Sequence, residues 1–580
     1  MPATRTAPVS SAHRELRIRV GGRDLPLTAQ LLSASIASSA NRVASARLVL
    51  ADGSPAAGDF PLASGSSLAP GVEIELRAGP LADTQPIFKG LVVRLRIRAV
   101  ERGAPQLVVD CRHATTRLTT TRRAAAWADV RDSDVIEQLL GAANVPATVA
   151  TTTHRHTQLV QHDISDWDFL VTRAEANGLA VFTRSDGISV RRPSISGEAA
   201  AELVYGSNLL AYEAESDARE QPLAVHTLSW DSADQALRDD DTSAPDFACP
   251  GNADPDDLAQ GAGAGRVDLR HTTLDSAEAQ ALADGHWLRA RVNLVSGRAS
   301  CTVQPQVQPG DVVDIQGVGA RFGGEVLVTA VRHELDGVRG FVTHLQFGGL
   351  APDPERIQRL SRPRAAALGP AVPGLQIGVV TALEDPSGEA RVRVRLPLVD
   401  AQGEGIWARV ASLDAGAERG WQVRPEIGDE VVLGFLDDDP RHPVVLGMLH
   451  SSAKPPPLPM ADDNDEKGYV SRSGMRLHFD DRKAAVTLST PGGHSLLLDD
   501  EAGAVTLQDS HGNKIVLDAQ GVRIESATAL QLSAATQMQV EASSSLALKA
   551  QSSLSLEGSA TAELKAGGMV RVQGGLVQIN

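Results

Sequence analysis

Apolar residues recur along this chain with periods that change from region to region, and each period predicts a different kind of element. From about 14 to 120 the period is two: Leu16, Ile18 and Val20 alternate with polar residues, as do Val72, Ile74 and Leu76, and then Val93 to Ile97. Such alternation predicts half-buried strands. In the last run Arg94, Arg96 and Arg98 are interleaved; an Arg-lined face suits phosphate, but a solvated or subunit-facing sheet surface is the better reading. Two helices follow. One carries Val135, Ile136, Leu139 and Leu140 on one side after Asp132 and Ser133; the other starts at Ser165, whose spacing to Asp168 suits a capping box, and buries Trp167, Phe169, Leu170 and Val171.

Residues 231–265 are acidic, rich in Pro and Gly and nearly devoid of apolar spacing, which predicts a long mobile loop. A helix is expected from about Ser276 to Arg291. A second strand set follows the turn Gln308-Pro309-Gly310-Asp311, through Val312 to Ile315, Val326 to Val331 and Phe341 to Phe347. Residues 351–374 have linker composition. From 375 to 450 five short strands (Ile377 to Leu383, Ala390 to Leu396, Ile406 to Val410, Glu430 to Phe435, Val444 to Met448) predict a small barrel of the OB kind. A second linker, 451–467, contains Pro455, Pro456 and Pro457, and strands then recur near Met475, Val486, Leu496, Val505 and Ile515.

The tail tightens to a period of eight, with apolar pairs one residue apart: Val522/Ile524, Leu530/Leu532, Met538/Val540, Leu546/Leu548, Leu554/Leu556, Ala562/Leu564 and Val570/Val572. Ser, Ala and Gly fill the bends between them. A fixed short period signals a solenoid or fibre, but an octad makes only one side of a prism, and one chain would complete too few coils to enclose a core. Two buried side chains per octad also fall short of the cost of ordering eight residues. One octad from each of three chains is therefore the expected layer, which would also remove exposed strand edges.

Composition narrows the function. The chain has 580 residues, 42% hydrophobic and 22% charged, and a net charge of -17 that argues against nucleic acid or an anionic membrane as the main partner. Cys111, Cys249 and Cys301 are too few and too scattered for a disulfide framework or a metal knuckle. The N-terminus has no apolar signal segment, so folding in a reducing cytoplasm is expected, and any export would proceed without a signal peptide. Hydrolase, Walker A and CxxC motifs are lacking, and no catalytic or cofactor-binding residues are assigned. His154, His156, His162 and Asp163 are metal-ligand types, but they lie in a loop before a helix and are read as solvated or structural, with no metal or cofactor expected. The OB segment, with 13 acidic residues against 7 Arg and only Trp407, Trp421 and Phe435 aromatic, does not suit single-stranded nucleic acid.

Three stretches, weak singly, are specific in their order and spacing: Gln161 to Leu170 with Glu175 to Gly178; Pro309-Gly310-Asp311 with Gly323-Gly324, Val331 and His333; and Pro425 to Val431 running on to Asp439 to Pro443. With these the chain resembles the VgrG family and the hub-spike proteins of contractile phage tails and extracellular contractile injection systems. The resemblance implies a mainly β, multidomain fold: a hub of two similar barrel-like domains over 1–350, an OB collar over 375–450 and a triple-stranded intertwined β-helix over 468–580. It implies a homotrimeric structural spike, not an enzyme, that seats a hexameric inner tube with other baseplate components, meets the target membrane only during puncture and has effector cargo as a further partner. The alternative is a spike with a peptidoglycan hydrolase-type activity in the N-terminal region. The short interval between OB module and tail leaves no room for a lysozyme-like insertion, and no C-terminal toxin domain is expected. Arg391 to Leu398 lacks the aromatic run of many type VI members, which points toward the extracellular or phage-derived branch. The last histidine is His511, so a metal-bound apex is not expected. Leu576, Val577, Ile579 and Asn580 are the expected docking surface for a PAAR-type tip protein.

Overall fold

The computed structural model describes residues 14–26, 29–80, 83–231, 234–242, 247–252, 254–271, 274–350, 356 and 371–579. The expected 351–374 linker lies outside them except for Arg356 and 371–374, and Asn580 also lies outside them. The protein is mainly β and divides into two compact units, 1–374 with 435–442, and 375–434 with 443–580.

In the first unit the two expected strand sets are parts of one 13-stranded sheet. Each set keeps its own core. Ile18, Leu48, Leu50, Ile74, Leu76, Leu107 and Val109 close one, and Leu203, Val295, Cys301, Val313, Val326, Val328 and Phe347 close the other. The sets are joined by the strand Gly324–Asp336, 13 residues long. Its first part pairs with Val312–Gln316, and after an irregularity between Val328 and Ala330 the rest pairs antiparallel with Leu31–Ser39. A strand of that length can serve two cores because the bulge re-aims its inward face.

The helices Asp132–Ala142 and Asp166–Ala176 pack together over a third core with Leu118, Val181 and Val190. As the sequence predicts, Ser165 caps the second: its Oγ accepts from the Asp168 N–H at 3.1 Å and donates to the Asp168 carboxylate at 2.8 Å. Trp167, Phe169, Leu170 and Val171 are all buried.

The expected loop 231–265 is largely structured. Ala224–Asp231 forms a hairpin with Ala236–Thr242, the helix Pro255–Gly261 follows behind an Asp254 cap, and Arg266–His271 returns parallel to the first strand. Residues 232–233, 243–246 and 253 lie outside the described residues. Apolar spacing is faint because one small cluster, Val225, Val267 and Leu269 against Ala283 and Trp287 of the Ser276–Asn293 helix, serves the whole layer. Its acidic side chains are matched by arginines: Arg266 pairs with Asp239 at 2.9 Å and Asp268 at 2.5 Å, and Arg238 pairs with Asp231.

In the second unit the strands Gln376–Ala382, Val392–Arg395, Ile406–Val410, Pro443–Met448 and Glu430–Phe435 close into a barrel, as the OB reading requires. Val380, Val392, Val394, Ala408, Val431, Leu433 and Val445 fill it. Gly378 is needed there, since a Cβ would lie 2.3 Å from Val394 Cγ1. Beyond the barrel seven strands of five residues, from Glu466–Val470 to Gly521–Glu525, form an antiparallel meander. Val522 and Ile524, expected as the first octad pair, lie instead in the last strand of this meander, facing Leu517 and Ile515. A hairpin turning through Ala519 and Gln520 mimics the octad spacing, and Asp518 holds it by accepting from the Gln520 N–H at 2.7 Å.

Candidate trimer and tip surfaces

Cross-strand partners share a face of a sheet, so the register of the meander shows which side chains act together. Leu477 and Phe479, Val486 and Leu488, Leu496 and Leu498, Val505 and Leu507, Ile515 and Leu517, and Val522 and Ile524 all fall on one face. The other carries His478, Thr487, Leu497, Thr506, Val516 and Arg523. The turns are built by Asp480, Asp499, Asp509 and Asp518, each accepting from a backbone N–H two or three residues on. This local chemistry completes the strands yet leaves the apolar face bare: Leu488, Leu498, Leu507 and Leu517 are exposed, and only Ala485 and Val516 of the meander are buried.

Past Glu525 the contrast sharpens. Among the described residues no strand pairing continues, and the chain runs through repeating bends to 579. The octad side chains Leu530, Leu532, Met538, Val540, Leu546, Leu548, Leu554, Leu556, Leu564, Val570 and Val572 are all exposed, from 48% at Val570 to 78% at Leu564. Leu576, Val577 and Ile579 are exposed as well. A backbone with no ladder and a regular apolar stripe with no core lacks the partners that an ordered segment requires.

In the first unit the residues with chemistry form a polar cluster. Asp132, on the first turn of its helix, accepts from Arg173 Nε at 2.6 Å and Nη2 at 3.0 Å and from Asn177 Nδ2 at 2.8 Å, and lies 3.0 Å from His156 Nε2. Burial works to raise the Asp132 carboxyl, but the hydrogen bonds and charge of Arg173, together with the His156 and Asn177 contacts, hold it below its usual range, while Asp132 and Glu278 raise Arg173 against its own burial. Of the four metal-ligand types noted in the sequence, His154 and His156 come together beside Glu278, a residue that sequence spacing did not single out. His162 is exposed further along the Arg155–Ser165 strand, and Asp163 pairs with Arg122 at 3.4 Å. On the Arg-lined strand Gln85–Arg98, Arg94 pairs with Asp110 at 2.6 Å, which Arg47 shares at 2.7 Å; Arg96 and Arg98 are exposed. The cysteines are free thiols, and burial pushes Cys111 and Cys301 up to about 12.

Comparison with known proteins gives these surfaces a context. Residues 10–337 match the family described as the Alg8 N-terminal domain, a description that names no activity. Residues 376–450 match the type VI secretion system/phage-baseplate injector OB domain, and residues 485–580 the phage baseplate V C-terminal trimerisation domain. The type VI secretion system spike protein VgrG2a of Pseudomonas aeruginosa is 30% identical over 142 residues, covering 22% of this chain and 16% of that protein. VgrG4b of the same organism is 35% identical over 132 residues, covering 20% of this chain and 16% of its own. The chain thus spans well under a fifth of the length of these curated relatives. A solved tail protein from Neisseria meningitidis MC58 is similar at 15% identity and a TM-score of 0.43, over 58% of this chain and 96% of that one.

Proposed function

The chain belongs to the Alg8 N-terminal domain family and is a VgrG-like spike protein, and from that premise we propose that it acts as the homotrimeric hub and spike of a contractile injection system. The observation that carries this reading is the bare octad stripe: three such tails, wound together, would bury one pair from each chain per layer and complete one another's strand ladders. The role is mechanical, with a tail that pierces a target envelope when a surrounding sheath contracts. The two strand sets of the first unit would give a trimer six similar surfaces, which suits an inner tube of hexameric rings. The protein would be made in the bacterial cytoplasm and leave it within the particle.

Leu576, Val577 and Ile579, exposed in the single chain, would present apolar side chains to a PAAR-type tip protein. Strand continuation, more than contact area, would supply the affinity. Co-purification tests this. Deleting 576–580 should leave the trimer intact and abolish capture of the tip protein, and capture undiminished by the truncation would refute the tip assignment.

A further inference from the structure

We propose that His154, His156 and Glu278 bind one divalent transition-metal ion, zinc in the simplest case, which ties the start of the Arg155–Ser165 strand to the first turn of the Ser276–Asn293 helix. The donor atoms of these three residues all lie within 4.8 Å of one another. Positions 154 and 156 are two apart, so the extended backbone directs both imidazoles to one side, where the rings meet edge to face at 4.4 Å. Side-chain exposures of 12%, 7% and 24% for His154, His156 and Glu278 leave all three largely shielded from solvent, with Glu278 the most open.

The surrounding groups are those a metal site needs. A ligating imidazole usually has its other nitrogen held by a carboxylate, which fixes ring orientation and tautomer. Here His156 Nε2 lies 3.0 Å from Asp132 Oδ2 and His154 Nδ1 lies 3.4 Å from Asp275 Oδ1. That leaves His156 Nδ1 and His154 Nε2 as the donors, the latter 4.0 Å from Glu278 Oε2. Arg173 Nη2 also lies 3.0 Å from His156 Nε2, but its N–H groups have carboxylate acceptors in Asp132 Oδ2 at 3.0 Å and Glu278 Oε1 at 3.4 Å. Glu278 can therefore accept from Arg173 through one oxygen and offer the other to a metal. Three carboxylates (Asp132, Asp275, Glu278) against one guanidinium leave the cluster at -2 with neutral imidazoles, which one divalent ion neutralises. Two imidazoles select a transition metal over calcium or magnesium. Ligands at about 2.0–2.2 Å from a tetrahedral ion sit roughly 3.4 Å apart, so binding needs the side chains to close by about an ångström.

The test uses the purified full-length chain, stripped with chelator and titrated with cobalt(II) and then zinc. The expected result is one cobalt per chain with visible d–d absorption, displaced by zinc, and a melting temperature that rises with excess zinc. Glu278→Gln, nearly isosteric, and His154→Gln should each weaken uptake by at least about 100-fold, and Asp275→Asn by about 10-fold, the range for a partner of a ligand. His162→Gln, on the same strand but outside the cluster, should bind like the parent. Circular dichroism confirms that each variant is folded. Failure of the folded parent to take up a stoichiometric ion at micromolar concentration, or uptake indifferent to both Glu278→Gln and His154→Gln, would overturn the proposal.

Discussion

Leu548→Asp tests the octad reading at a single layer. Leu548 is 64% exposed in the lone chain, so most of its side chain remains to be buried by partners. Full burial of a leucine contributes about 1.5 to 3 kcal/mol, which at this exposure leaves roughly 1 to 2 per chain and about 3 to 6 for the three copies in one layer. The aspartate forfeits that and also places three like charges near a dry axis, at a cost of several kcal/mol per ion. Together the penalty is on the order of 10 kcal/mol, comparable with the whole stability of an ordinary domain. Ser544→Asp, in the bend preceding the Leu546/Leu548 pair, is the control, because a bend residue faces solvent in this account. Sedimentation velocity and thermal melts of the full-length variants read the outcome. Leu548→Asp should sediment as a smaller species, or as a trimer whose spike transition falls by more than about 10 °C for so large a penalty, while Ser544→Asp keeps the parent's behaviour. A Leu548→Asp trimer that melts like the parent would refute the buried-pair geometry.

Three further outcomes follow from the first unit and the barrel. Burial, with His344 nearby, holds His333 down at about 4, and burial, with Lys89 nearby, does the same for His113. An unfolded histidine protonates near 6.5, so this stability is fully present above that pH and is lost as pH falls from about 6.5 to about 4, on the order of 3 kcal/mol for each; His333→Gln should flatten the slope of denaturation midpoint against pH in that window, and an unchanged slope would count against it. Asp132→Asn removes the two-oxygen partner of the Arg173 guanidinium, leaving Glu278 at 3.4 Å as its carboxylate, and should cost about 1.5 to 3 kcal/mol by denaturant titration, part of it recovered in the Asp132→Asn/Arg173→Met double variant. Gly378→Ala forces a methyl against Val394 and Leu433 and should destabilise the barrel by about 1 to 3 kcal/mol, seen as an earlier transition in differential scanning calorimetry.

Much of this architecture is visible in the residues wherever the controlling interaction is local. The Ser165 cap, the Gln308 to Asp311 turn, the five barrel strands and the apolar pairs all depend on neighbours within about ten positions. The misses have the opposite character. Joining the two strand sets requires Asp336 to meet Ser33 across the length of the first unit, and no local pattern encodes that partner. The 231–265 segment carries no apolar period of its own because its order depends on Ala283 and Trp287 of a later helix and on arginine pairs. Val522 and Ile524 belong to the last strand of the meander although they fit the octad spacing, because a tight hairpin and an octad space their apolar pairs alike. No sequence spacing links Glu278 to His154 and His156, because it arrives on a distant helix.

The central claim is that the octads are sides of a threefold prism and not turns of a single-chain coil. Cryo-electron microscopy of the purified full-length protein tests it most directly. The account predicts three intertwined chains over 530–579, with Leu530, Met538, Leu546, Leu554 and Val570 of all three directed to a common axis and a ladder running between chains. A map showing each tail coiled on itself, or a monomer with an unstructured tail at micromolar concentration, would contradict it.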